Sequence, residues 1–281
     1  MSTAGTIYAA LQNQGGVAPC VLRYVSTTQL RLDPVGSTKI KINGTWRTIP
    51  AAGITTSNVA FINGTASQNL ATSTNYFVYA FWDGSAIKID FSTTGHSTST
   101  TAGNVGTEIK TGDDTRSLIG YIRTSADSPP AQFRQNAKQR MVRSWFNRQL
   151  DESTLEAQLG SQVSTSSGTP AVSSGTFGFD FVMWAGETFT AHFIGCGVTT
   201  GGGNSYTAFW WDGALSTNPN NNYAFFGTPA ELKPNSITES MSYATDGSHT
   251  LYQVMWTAAT SFAVGRSAAP YVVLSGRIQQ N

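Results

Sequence analysis

Alternating apolar and polar positions predict β-strands along most of the chain. Phe177, Phe179, Phe181 and Met183 occupy every second position, which is the period of a strand with one buried face. Further candidate strands of this half are Thr188–Cys196, Ser205–Trp211, Tyr223–Phe226, Ser240–Ala244, Thr250–Trp256 and Pro270–Ile278. Short strands at this spacing, with no helical pattern between them, predict an antiparallel, jelly-roll-like β-sandwich.

The first half of the chain also predicts strands, so the fold class is all-β. Arg23–Leu32 is one candidate strand. Asn75–Trp82 is apolar at nearly every position, so we expect a central strand covered on both faces. Ile87–Phe91 alternates instead, which indicates one solvated face.

Dipeptides of Asn or Asp followed by Gly predict the turns between strands. These residues tolerate the positive φ angles that tight hairpin turns require. The predicted turns are Asn43-Gly44, Asn63-Gly64, Asp83-Gly84, Asp212-Gly213 and Asp246-Gly247.

Residues 134–160 leave two interpretations open. Leu155 and Leu159 are four positions apart, as in a helix that begins after Asp151, whereas Met141–Phe146 is compatible with a strand. We expect at most one or two short helices in this region.

A composition break at 161–175 divides the chain. This segment is almost entirely small and polar, which is typical of a linker. The predicted organisation is a flexible or docking arm at 1–19, a β-rich domain at 20–160, the linker, and the sandwich at 176–281.

Composition narrows the class of protein. Hydrophobic residues make up 40% of the 281 positions and charged residues only 12%, which favours folded domains over disorder. Neither a secretory signal nor a membrane-spanning run is evident, so we expect synthesis in a cytoplasm and no membrane insertion. Cys20 and Cys196 match no metal or redox spacing; free thiols are favoured and a long-range disulfide stays open.

Basic residues concentrate just before the composition break. Because they alternate with aromatic residues, they indicate a solvated or interface-facing element rather than a nucleic-acid arm. The candidate assembly interface consists of Arg134, Arg140, Arg143, Trp145 and Arg148.

The sequence predicts no catalytic, cofactor-binding or metal-ligating residue, so we expect a protein that is not an enzyme. His96, His192 and His249 lie in separate segments without a nucleophile motif. A glycan depolymerase, the least favoured alternative, needs two paired carboxylates, and no spacing in the second half pairs any two.

Aromatic residues give the better indication of function. Trp210 and Trp211 are consecutive on a predicted strand, so they point to opposite faces. An exposed indole beside Asn221 and Tyr223 would suit stacking and hydrogen bonding to a host surface glycan. Packing in a core or a subunit interface is the favoured alternative.

Four blocks resemble a module of tailed-bacteriophage structural proteins. They are KIKINGTWRTIPAAG (39–53), NYFVYAFWDGSAIKIDFSTTGH (75–96), GTEIKTGDDTRSLIGYIRT (106–124) and QRMVRSWFNR (139–148). The resemblance covers roughly residues 20–148 and brings no catalytic motif. It implies a virion component, a tail-fibre or capsid-decoration subunit, that contacts other virion proteins. A homotrimer is expected, since self-association would bury the surplus apolar surface.

Overall fold

The computed structural model describes residues 19–36, 38–146, 148, 154–159, 162–172, 177–200, 204–216, 233–259, 261–264 and 272–279. The regular elements of this part of the chain are all β-strands, which confirms the predicted all-β class. No helix in the described residues is long and apolar enough to cross a membrane.

The chain divides into two compact units. Unit 1 comprises Met1–Gln135 and Met141–Asp151, and unit 2 comprises Asn136–Arg140 and Glu152–Asn281. The chain therefore enters unit 2 for five residues, returns to unit 1, and then completes unit 2.

Unit 1 contains thirteen of the strands, in three sheets. The strands are β1 (Cys20–Ser26), β2 (Gln29–Pro34), β3 (Lys39–Ile42), β4 (Thr45–Thr48), β5 (Ile54–Ser57), β6 (Val59–Ile62), β7 (Thr65–Asn69), β8 (Asn75–Trp82), β9 (Ile87–Ser92), β10 (His96–Thr98), β11 (Glu108–Lys110), β12 (Asp113–Arg123) and β14 (Val142–Ser144). The largest sheet has the order β10-β11-β12-β8-β9-β6-β7, with β14 also paired to β12. The others are β1-β2-β5 and the hairpin β3-β4.

An apolar core holds the described part of unit 1 together. Leu22, Ile40, Val78, Phe91 and Ile119 all belong to this core and come from both larger sheets and the hairpin. β8 is nearly buried along its length, as its uniformly apolar sequence predicts. Its partner β9 is more buried than the alternation predicted, because the Asp90 carboxylate is enclosed and pairs with Arg116 at 2.8 Å.

Unit 2 is a β-sandwich. Its strands are β13 (Gln139–Arg140), β15 (Leu155–Gln158), β16 (Val163–Thr165), β17 (Ala171–Val172), β18 (Gly178–Met183), β19 (Thr188–Thr200), β20 (Ser205–Trp211), β21 (Ala214–Leu215), β22 (Lys233–Ser242), β23 (Gly247–Thr257), β24 (Ser261–Val264) and β25 (Val273–Gln279). One sheet has the order β13-β18-β23-β20-β21, with β17 on β23, and the other has the order β15-β25-β19-β24-β16, with β22 on β19.

Phenylalanine rings fill the space between the two sheets of unit 2. Phe181 stacks on Phe189 with ring centroids 4.1 Å apart, and Phe189 meets Trp211 edge-on at 5.7 Å. All three side chains belong to one buried cluster that draws on both sheets. The alternation noted from Phe177 to Met183 therefore marks the core face of β18.

The sequence misplaced the boundary between the units. The predicted linker 161–175 contributes β16 and β17, which pair with β24 and β23 of the sandwich. Of the two interpretations left open for residues 134–160, the helix after Asp151 is wrong, because Leu155, Ala157 and Leu159 are buried at alternate positions and β15 pairs with β25. Short Ser- and Thr-rich strands have the composition of a linker, so composition alone could not separate the two.

Three of the predicted turns have positive φ at both central residues, as type I′ hairpins require. They are Asn43-Gly44 (48° and 73°), Asn63-Gly64 (50° and 82°) and Asp212-Gly213 (48° and 81°). Asp83-Gly84 forms a longer loop in which only Gly84 has a positive φ, of 103°. Gly247 is the first residue of β23.

Neither cysteine forms a disulfide. Cys20 is buried in unit 1 and Cys196 is half-buried in unit 2.

Candidate functional site

The two consecutive tryptophans of β20 lie on opposite faces of the strand. Trp211 is 4% exposed and packs in the sandwich core, so it is not available to a ligand. Trp210 is half-buried on the outer face. The other two predicted glycan contacts, Asn221 and Tyr223, lie outside the described residues.

Trp210 belongs to a set of four half-buried aromatic residues, which we call the aromatic strip. Tyr206 and Trp210 come from β20, and Tyr252 and Trp256 come from β23. The register pairs Tyr206 with Trp256 and Trp210 with Tyr252, so all four lie on one face. The rings of Tyr206 and Trp256 stack with centroids 5.0 Å apart and planes 16° from parallel.

Small residues separate the two aromatic pairs. Ala208 and Val254 pair with each other midway between them, and both are fully buried. Because a strand rises about 3.3 Å per residue, the two pairs are about 13 Å apart along the strands. The aromatic strip therefore offers two aromatic pairs, with the buried side chains of Ala208 and Val254 between them. The first pair is Tyr206 with Trp256, and the second pair is Trp210 with Tyr252.

The carboxylate of Asp180 lies beside Tyr252 of the second pair. The Tyr252 ring lies across Gly178, where an added Cβ would come within 2.4 Å of Tyr252 Cδ1. Its hydroxyl donates to Asp180 Oδ1 at 3.5 Å, and Gln139 Nε2 donates to Asp180 Oδ2 at 3.1 Å. Burial, followed by the Asp180 charge, raises the pKa of Tyr252. Aromatic faces beside a carboxylate and an amide offer stacking and hydrogen-bond acceptors to a polyhydroxylated ligand.

Two of the five predicted assembly residues are buried in the single chain. Arg140 and Arg143 are 4% and 2% exposed, so neither guanidinium is open to a partner in the single chain. Arg134 forms an ion pair with Asp127 at 2.5 Å. The interface itself stays a prediction for Arg134, Trp145 and Arg148.

Trp145 and Arg148 do lie together, in a group that the sequence did not identify. The Arg148 guanidinium lies 4.0 Å from the centroid of the Trp145 ring. His96 contacts the same indole at 5.1 Å, and its Nδ1 lies 2.7 Å from Glu108 Oε2. Burial opposes ionisation of Glu108, but hydrogen bonds from His96 and Thr98 and the nearby positive charges outweigh it and lower the Glu108 pKa.

A second histidine–carboxylate pair was also missed, because its partners are 37 positions apart in the sequence. His249 Nδ1 lies 2.8 Å from Asp212 Oδ2, and Asp212 Oδ1 accepts from the Thr250 amide at 2.7 Å. Tyr243 stacks on the imidazole with ring centroids 3.4 Å apart. Burial opposes ionisation of Asp212, yet these hydrogen bonds and the nearby Tyr243 hydroxyl lower its pKa. The pair ties the β20–β21 turn to β23.

No group of three or more His, Cys, Asp or Glu side chains in the described residues is placed to hold a metal ion.

No protein-family model and no curated protein matches this sequence. Among solved structures, the sugar-binding C-terminal domain of EclA is 9% identical over 46% of this chain and 78% of that chain, with a TM-score of 0.21. A T13 infectious bursal disease virus particle protein is 11% identical over 94% and 72% of the two chains, with a TM-score of 0.30. The Bacillus thuringiensis delta-endotoxin Cry8Ea1 is 8% identical over 94% of this chain and about half (52%) of its own, with a TM-score of 0.27. The weak structural neighbours thus include viral-particle and sugar-binding proteins, and these TM-scores are too low to carry a functional argument.

Proposed function

We propose that this chain is a non-enzymatic structural subunit of a bacteriophage virion, a fibre or decoration protein on the particle surface, with the tail favoured over the head. It assembles as a homotrimer and contacts other virion proteins. One observation carries the proposal: each of the four segments that resemble the phage module contributes at least one strand to unit 1.

Each of the four resembling blocks contains two strands, and in three of the blocks the two strands pair with each other. Block 39–53 contains the β3-β4 hairpin, block 75–96 contains β8 and β9, and block 106–124 contains β11 and β12. Block 139–148 contains β13 and β14, of which β14 pairs with β12. A resemblance that follows strand pairs around one core supports a shared module rather than a chance match of composition.

Deleting residues 1–18 tests the docking role of the predicted arm. Pro19 is kept, because it is buried and its carbonyl oxygen accepts a hydrogen bond from the Val35 amide at 3.0 Å. We expect the truncated protein to retain its far-ultraviolet circular dichroism spectrum and thermal midpoint. We expect it to be absent from particles assembled without the full-length protein, as detected by immunogold labelling. Truncated protein that still decorates particles contradicts the docking role of the arm, and full-length protein absent from particles contradicts the virion assignment.

A second candidate function, recognition of a host surface glycan, is favoured by the aromatic strip. Stacking on half-exposed rings is the common way for proteins to bind the apolar face of a sugar, and Asp180 and Gln139 supply polar groups beside Tyr252. The function would belong to unit 2 and is compatible with a place at a fibre tip.

The strip makes a direct prediction for glycan binding. Trp210→Ala and Trp256→Ala each remove the indole ring from one of the two aromatic pairs. We expect each to cause at least a tenfold loss of affinity for any glycan that the wild type retains on an array. Trp46→Ala is the matched control, because Trp46 is 48% exposed and lies in unit 1. Equal binding by all folded variants would exclude the strip as the glycan site.

A further inference from the structure

The outer face of β18 carries a carboxylate that has no ion-pair partner among the described residues. Asp180 is half-buried on this face. Its side chain accepts a hydrogen bond from Gln139 Nε2 at 3.1 Å and a long one from the Tyr252 hydroxyl at 3.5 Å, and no described lysine or arginine pairs with it. An ionised carboxylate has lone-pair sites for about four hydrogen bonds. Asp180 therefore keeps the capacity to accept from a ligand.

Aromatic rings extend from this carboxylate across the sheet. Gly178 and Asp180 are two positions apart on β18, so their side-chain positions lie on one face about 7 Å apart. Tyr252 lies across Gly178, where an added Cβ would come within 2.4 Å of Tyr252 Cδ1, and Trp210 is the cross-strand partner of Tyr252. The faces of such rings carry a negative potential that attracts cations.

We infer that the ligand of the aromatic strip is an oligosaccharide of amino sugars, and that one of its ammonium groups binds between the Asp180 carboxylate and the Tyr252 ring. The inference rests on the glycan-binding function proposed above for the strip and adds the charge of the ligand. An ammonium group donates short, charge-assisted hydrogen bonds to a carboxylate and is attracted to a neighbouring aromatic face. A neutral hydroxyl group donates to the same carboxylate without that second attraction.

The charge of the outer face excludes acidic glycans. Among the outward positions of β18, β20 and β23, the charged residue is Asp180. A uronic, sialylated or sulfated sugar would therefore bring a like charge to this face, which is unfavourable.

The length of the strip indicates an oligomer. Its two aromatic pairs lie about 13 Å apart along the strands, a span that one amino sugar does not cover and a chain of sugars does. A lysine side chain would supply an ammonium group but not the apolar sugar faces that stack on both pairs.

Calorimetric titration of the full-length protein with two tetrasaccharides tests the inference. The chitosan tetrasaccharide carries ammonium groups at mildly acidic pH, and the chitin tetrasaccharide has the same linkage with each amine acetylated and uncharged. Asp180→Asn removes the charge and keeps a side-chain oxygen for Gln139. Glu156→Gln is the matched control, because Glu156 is exposed on β15 in the other sheet of the same unit. Both variants are first checked for an unchanged circular dichroism spectrum.

We expect wild type to bind the chitosan tetrasaccharide at least tenfold more tightly than the chitin tetrasaccharide. Asp180→Asn should remove this preference and leave the affinity for the chitin tetrasaccharide unchanged, whereas Glu156→Gln should keep both affinities. The inference is overturned if wild type lacks the preference, if Asp180→Asn retains it, or if Glu156→Gln reduces it equally. It is also overturned if Asp180→Asn changes the mass measured by light scattering, since the cation would then belong to a second copy of the chain.

Failure of this inference is distinguishable from failure of the proposed glycan recognition. A neutral glycan that binds wild type and loses affinity in Trp210→Ala supports glycan recognition by the strip, even where the chitosan tetrasaccharide is not preferred.

Discussion

Asp83 shows how one carboxylate closes the loop between β8 and β9. Its Oδ1 accepts hydrogen bonds from the Ser85 amide at 2.8 Å, the Ala86 amide at 2.7 Å and the Ser85 hydroxyl at 2.9 Å. The amides of Ala86 and Ser85, followed by the Ser85 hydroxyl, lower the pKa of Asp83 from 3.8 to about 2. A group with a lowered pKa stabilises the fold above its unfolded pKa and loses that contribution as the pH falls through its folded pKa.

We therefore expect Asp83→Ala to lower the thermal midpoint of unit 1 at pH 7, and the difference from wild type to shrink as the pH falls from about 4 towards 2. Asp83→Asn is the matched control, since its side-chain oxygen accepts the same three bonds without a charge. Scanning calorimetry across this pH range gives the midpoints. A difference that stays constant down to pH 2 would show that the carboxylate charge is not involved.

At the residue scale, turns could be predicted from the sequence where the turn residues themselves favour the positive φ angles that the turn requires. Asn43, Asn63 and Asp212 adopt positive φ and each is followed by Gly. This signal consists of two neighbouring residues, so it can be recognised without knowledge of the fold. The turn at Thr27–Thr28 has no such signal, so Arg23–Leu32 was predicted as one strand and is two, β1 and β2. The aromatic strip needs more than local signals, because its two pairs join residues that are 50 and 42 positions apart on β20 and β23.

At the scale of the element, β25 depends on a glycine in contact with the core. An added Cβ at Gly276 would lie 2.2 Å from Cζ of Phe189. The Phe189 ring has little room to move away, because it is fully buried between Phe181 and Trp211. The missing side chain is therefore what lets β25 lie beside β19 with that ring across it.

Gly276→Ala consequently overpacks the sandwich, and we expect a loss of about 1–3 kcal/mol in the free energy of unfolding. Gly168→Ala is the control in the same unit, since its added Cβ meets nothing closer than the Thr257 carbonyl oxygen at 4.0 Å. Urea unfolding followed by tryptophan fluorescence measures both variants. Equal stabilities would mean that the Phe189 ring moves aside at little cost.

β15 shows why element type was harder to predict than element existence. Leu155, Ala157 and Leu159 satisfy both a spacing of four and a spacing of two. Only the pairing with β25, more than a hundred residues away, selects the strand. The residues of β15 alone do not indicate that β25 is their partner.

At the scale of the whole molecule, the proposed homotrimer would bury exposed apolar residues of the outer faces. Ile194 on β19 is 52% exposed and faces outward beside Val273 of β25. Such residues on a low-charge surface are stabilised by burial between identical subunits.

We expect multi-angle light scattering on the purified protein at micromolar concentration to give three times the mass of one chain. The mass should hold at 1 M NaCl, because an apolar interface is not screened by salt. A monomeric mass at both salt concentrations contradicts the homotrimer.

The five-residue excursion that places β13 in unit 2 has a consequence for how such a gene could be rearranged. β13 pairs in parallel with β18, while β14, which follows immediately, pairs with β12. A single genetic crossover at codon 152 would transfer the coding sequence of the second half without β13, the strand that pairs with the edge of β18. A crossover before codon 136 would keep that strand but would also carry β14 away from its own sheet. Modular exchange of the distal half would thus need a duplicated or replaced β13, so the two halves are expected to be inherited together.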